Sequence, residues 1–61
     1  MYDFEFYYDG QVKTCQTREE ALQIYNAGGF YKAVCYFPNE HSACFRIIEA
    51  AEDITSLPEC S

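Results

Sequence analysis

Tyr2-Asp3-Phe4-Glu5-Phe6-Tyr7-Tyr8 alternates without a break, with Tyr2, Phe4, Phe6 and Tyr8 on one side and Asp3, Glu5 and Tyr7 on the other. A period of two residues belongs to a strand with one buried face, so this stretch predicts a sheet. Asp9-Gly10 follows, a dipeptide that tolerates the positive φ angles of a tight turn, and Gln11–Cys15 returns as a second strand. Two registers fit. A two-residue loop sets Lys13 opposite Phe6, whereas a three-residue loop with a glycine bulge sets Thr14 there and Val12 opposite Tyr8. The bulged hairpin keeps the apolar faces together better and is the one expected.

Thr17-Arg18-Glu19-Glu20 reads as a capping box: the Thr17 hydroxyl can accept from the Glu20 amide while the Glu20 carboxylate reaches back to the amide of Thr17. A helix of about ten residues follows, with Ala21, Leu22, Ile24 and Tyr25 as its apolar stripe and Gly28-Gly29 as its stop. A helix this short needs a sheet to lie on. Residues 30–37 are aromatic and β-branched and predict a third strand. Pro38-Asn39-Glu40-His41 makes a polar loop, and residues 42–48 return as a fourth strand. If those four residues are the whole loop, Cys35 stands directly opposite Cys44, close enough to touch and slightly far for an unstrained disulfide. Residues 49–54 read either as more strand or as a helical turn, and residues 55–61 as an irregular tail. The expected fold is α+β: a small antiparallel sheet of about four strands with one helix on it, in the order β-β-α-β-β. It is read as a single domain over residues 1–61, with a compact core to residue 48 and an extension or tail over 49–61.

A 61-residue chain buries only about 60% of the surface that its unfolded form exposes, so its stability margin is thin. Six Tyr and five Phe make up for this, since each ring removes roughly 150 to 250 Å² from water. Ten acidic against four basic side chains give a net charge of -6, which works against binding nucleic acid or anionic lipid directly. No run of eighteen apolar residues and no basic-then-apolar leader is visible, so a cytoplasmic protein that does not span a membrane is expected. In that compartment Cys15, Cys35, Cys44 and Cys60 stay reduced and serve as small buried hydrophobes. They form no Cys-x-x-Cys pair, and His41 is the single histidine, so no metal site and no cofactor are expected.

The third and fourth strands carry two apolar faces. One holds Val34, Tyr36, Ala43, Phe45 and Ile47; the other holds Tyr31, Ala33, Cys35, Phe37, Cys44 and Ile48, broken only by Arg46. One short helix covers one face, and the second is expected to be covered by the tail through Ile54 and Leu57, or to serve as an interface. In the second case Tyr31, Phe37 and Ile48 are its centre, with Tyr7 as a further aromatic contact. Asp3 and Glu5 project from one strand face about 6.6 Å apart, with Asp9 at the turn beyond. Together with Glu19, Glu20 and Glu40 they form the acidic candidates, because spaced carboxylates can imitate a phosphate track to a basic groove. No catalytic residue is expected: His41 has no partner at a motif spacing, and Glu19 and Glu20 are already explained by the helix start they occupy.

In size, acidity, tyrosine density and element order, carried by residues 2–8, the 17–20 cap and the 30–48 hairpin, the chain resembles the small bacteriophage proteins that disable host machinery, anti-CRISPR proteins among them. The resemblance implies a stoichiometric inhibitor rather than an enzyme. Its partner would be a host protein, such as part of a nucleic-acid-processing complex, whose basic groove it blocks in the host cytoplasm. The alternative is a homodimeric structural or regulatory module without an inhibitory role.

Overall fold

The computed structural model describes residues 2–36 and 45–57. Phe37, Glu40, His41, Cys44 and Cys60 lie outside the described residues. The elements are β1 (Asp3–Tyr8), β2 (Gln11–Cys15), α1 (Arg18–Ala27), β3 (Lys32–Tyr36), β4 (Phe45–Ile47) and a short α2 (Glu52–Thr55). The strands form one antiparallel sheet in the order β2-β1-β3-β4, which makes the chain an α+β protein. β1 therefore pairs on both sides, and the alternation that predicted it also decides what is buried: Phe4 and Phe6 are fully excluded from solvent.

The β1–β2 hairpin takes the two-residue loop, not the bulged one expected. Phe6 faces Lys13, Tyr8 faces Gln11 and Phe4 faces Cys15. Gly10 supplies the turn with a φ of 85°. The bulged register would have turned Cys15 outward beside Glu5, whereas the observed one seats Cys15 in the core next to Phe4. On this edge strand Lys13 tolerates its inward-side position by laying its ammonium over the Tyr8 ring, 5.1 Å from the centroid.

Helix α1 begins and ends where the sequence places it. The Thr17 hydroxyl accepts from the Glu20 amide and donates to Glu20 Oε1, both at 3.2 Å. Gly28, at φ 74° and ψ -161°, takes a conformation that side chains resist, and its amide closes on the Ile24 and Tyr25 carbonyls. Ala21 is fully buried against the sheet, and Leu22, Ile24 and Tyr25 pack around it.

β3 and β4 pair with Cys35 opposite Arg46 and Val34 opposite Ile47, two residues away from the register expected, so Arg46 takes the position opposite Cys35 that was expected of Cys44. A shift of two keeps every side chain on its face, and the apolar pattern cannot distinguish the registers. The observed register brings Ile48 beside buried Ala33, where its amide donates to the Ala33 carbonyl at 2.9 Å, and sets Arg46 beside buried Cys35.

A helix about 10 Å across covers about two strands spaced roughly 4.8 Å apart, so α1 cannot roof four. Residues 49–57 complete the cover. Ile54 and Leu57 join the core cluster with Tyr2, Phe4, Cys35 and Ile48. The Asp53 carboxylate accepts from the Glu49 and Ala50 amides at 2.8 and 3.1 Å. Arg18 donates to the Leu57 carbonyl and Tyr25 to that of Glu49. The tail thus folds back as anticipated, but beside the helix, on the same side of the sheet. Among the described residues no helix is long and apolar enough to cross a membrane.

Since Ile54 is a core residue and Ile47 is half exposed, their truncations should differ. Ile54→Ala should cost about 2 to 5 kcal/mol and Ile47→Ala within about 0.5 kcal/mol, read from urea midpoints at unchanged slope. Equal costs would mean that the tail is not part of the core.

Candidate functional site: the open face of the sheet

Register and alternation together lay out the uncovered face as a grid. Across the sheet from β2 to β4, one row is Gln16, Asp3, Tyr36 and Phe45; the next is Thr14, Glu5, Val34 and Ile47; the third begins Val12, Tyr7 and Lys32. A 3.0 Å bond from the Gln16 amide to Asp3 Oδ1 carries the first row beyond β2. The half over β1 and β2 is polar and acidic, and the half over β3 and β4 is aliphatic and aromatic.

In the apolar half Phe45 is 54% exposed and Ile47 50%, and Val12 is 49% exposed at the opposite corner. Tyr36 and Phe45 lean together with ring centroids 5.8 Å apart. Val34, flanked in the grid by Glu5, Ile47, Lys32 and Tyr36, is buried beneath its neighbours on this side and stands outside the core cluster.

The acidic half is organised around Tyr7. Its hydroxyl donates to Glu5 Oε1 at 2.6 Å, Lys32 Nζ sits 4.6 Å from its ring centroid, and the Tyr31 ring lies 6.3 Å away. The bond to the Glu5 carboxylate, helped by partial burial and by the Glu5 charge, pushes the Tyr7 phenol up to about 12.

The structure thus brings together Asp3, Glu5, Tyr7 and Tyr31 of the expected site, with Tyr31 72% exposed. Asp9 lies at the turn beyond β1, and Glu19 and Glu20 stand exposed in the first turn of α1, apart from the grid. Ile48 does not belong to an accessible face: it is 5% exposed and lies in the core. The reason is parity. Pairing with β1 puts Ala33, Cys35 and, through β4, Ile48 on the side of Phe4 and Phe6. The open side is therefore the Val34, Tyr36, Phe45 and Ile47 face. Phe45, Ile47 and Lys32 were missed as site residues, although the alternation had grouped the first two with Val34 and Tyr36. Knowing that β1 pairs with β3 would have been signal enough to choose between the faces.

Under the other face Cys15 and Cys35 flank Phe4. Burial, with the Glu20 charge, pushes the Cys15 thiol up against a weaker opposing bond with the Thr17 backbone, so it is held as the poorly nucleophilic thiol. Among the described residues no group of three His, Cys, Asp or Glu side chains is placed to hold a metal ion.

Because the folded chain holds the Tyr7 proton more tightly than an ordinary phenol near 10, that group's contribution to stability is complete below pH 10 and fades as the pH rises toward about 12. Glu5→Gln should bring the Tyr7 titration back toward 10, followed by NMR of the ring. An unmoved titration would show that the carboxylate is not its cause.

No protein-family model, curated protein or solved structure matches the chain, and what the open face can do follows from its own residues.

Proposed function

We propose that this chain is a small acidic protein-binding inhibitor that docks through the open face of its sheet and blocks a basic, nucleic-acid-binding surface of a host protein. The observation that supports the reading is the grid: exposed Phe45 and Ile47 stand beside a strand that presents Asp3 and Glu5 on the same face. Half-exposed aliphatic and aromatic side chains give contact area, and carboxylates beside them select a cationic partner and speed encounter with it. A net charge of -6 works in the same direction. The mode of action is occupancy: the inhibitor fills the groove, and no bond is made or broken.

A second reading, a homodimeric module, is favoured by the same exposed Phe45 and Ile47, now in place of the buried Ile48. Charge weighs against it, because each copy would bring its own excess of negative charge to the other.

Binding to a purified nucleic-acid-binding target should weaken about tenfold or more between low and physiological salt. The triple variant Asp3→Asn, Glu5→Gln, Asp9→Asn should lose most of that salt dependence together with inhibition, measured by titration calorimetry and by the target's nucleic-acid binding. Salt-insensitive inhibition that survives the triple variant would overturn the proposal, and a tight dimer in sedimentation equilibrium would move the weight to the second reading.

A further inference from the structure

The open face is organised in a way that fits one kind of contact element. We infer that its occupant is an amphipathic basic α-helix of the partner, lying along the strands over β3 and β4 with its cationic flank over β1. This rests on the protein-binding reading above and names the element that is bound.

Width is the first argument. A helix about 10 Å across covers about two strands, and the apolar part of the face is two strands wide: half-buried Tyr36 on β3, exposed Phe45 and Ile47 on β4, and buried Val34 as the floor between them. An apolar stripe laid along these four buries Phe45 and Ile47 without having to bury a carboxylate. Charge is the second. Along one edge of that apolar strip runs β1 with Asp3 and Glu5, and the one cation among the three grid rows, Lys32, sits over Tyr7 at the far end. A helix whose leucine-like stripe rests on β3 and β4 therefore turns one flank toward two carboxylates, and complementarity requires lysine or arginine on it.

Spacing is the third argument. Asp3 and Glu5, two residues apart on a strand, project about 6.6 Å apart. Side chains at i and i+4 of a helix rise by about 6 Å. Two cations one turn apart on the partner can meet both carboxylates with little adjustment. Such a helix is also a common means by which proteins enter the major groove of DNA, so covering it removes the surface that nucleic acid would use. The same physics already operates within the chain, where α1 lies on the opposite face of this sheet.

The test uses the full chain and a synthetic peptide of about four helical turns, with a leucine stripe and lysines spaced i, i+4 beside it. A control peptide of the same composition carries the lysines on the side away from the leucines. The first peptide should bind and perturb the amide resonances of Val34, Tyr36 and Ile47, leaving those of Ala21 and Ile54 in place. Ile47→Asp should weaken it roughly tenfold or more. Phe45→Ser repeats that test at a second exposed position, with circular dichroism confirming the fold of both variants. Asp3→Asn with Glu5→Gln should flatten the salt dependence while leaving part of the affinity. Equal binding of the control peptide, unchanged binding by both apolar variants, or perturbation centred on Leu22 and Thr55 would each overturn the inference. Peptide binding as expected by a chain that leaves its target's nucleic-acid binding untouched would defeat the inhibitory reading and keep the docking mode.

Discussion

Phe4 and Phe6 have to be kept from water on the one strand that pairs with neighbours on both sides, and most of the structure answers that requirement. On the β2 side Cys15 closes against Phe4; on the β3 side Cys35 and Ala33 close against Phe4 and Phe6. Above them lie Ala21 of α1 and the anchors Ile54 and Leu57. A second ring layer reinforces the helix end, where Phe30 meets Phe6 edge-on at 5.2 Å and Tyr25 at 5.3 Å. In a chain this short, where total stability is of the order of 0.1 kcal/mol per residue, one side chain of this core is a large fraction of the whole.

The same requirement explains why one face is left uncovered. A ten-residue helix and a short tail supply enough apolar surface to roof one side of four strands, and both are used on the side of the phenylalanines. Among the described residues no further element covers the side where Phe45 and Ile47 stand half exposed. Its polar half is nonetheless ordered: the Glu5–Tyr7 bond and the Lys32 ammonium over the Tyr7 ring satisfy one another within the face. An edge lysine on β2 and acidic side chains on β1 also discourage indiscriminate pairing and stacking between copies.

What could be read from the sequence was local. Alternation in residues 2–8, the Thr17 cap and the Gly28-Gly29 stop each rest on neighbours within a few positions, and each element stands where they put it. Local pattern lost its force where a choice depended on distant pairing. The hairpin register turned on whether Cys15 or Val12 is inside, and apolar matching favoured Val12 because it ignored how readily Lys13 rests over Tyr8. The β3–β4 register sets whether Arg46 or Ile48 stands beside Ala33, a difference that parity cannot register. The candidate site inherited that ambiguity. The carboxylates and Tyr7 were legible as one face of one strand; which apolar residues accompany them was not, because that depends on β1 pairing with β3 across an intervening helix.

The placement of the acidic residues on β1 has a consequence for recognition. Asp3 and Glu5 alternate with Phe4 and Phe6, so the residues that fix the carboxylates in space are fully buried. Loop carboxylates would have to be ordered on binding, at a cost in conformational entropy for each side chain and its backbone. On a central strand the backbone part of that cost is already met by folding, and the spacing between the charges is that of the strand itself. Stability and recognition therefore act through one segment. Whatever loosens the packing of Phe4 and Phe6 also blurs the charge spacing on the opposite face, and a partner that reads that spacing is sensitive to the state of a core it never touches.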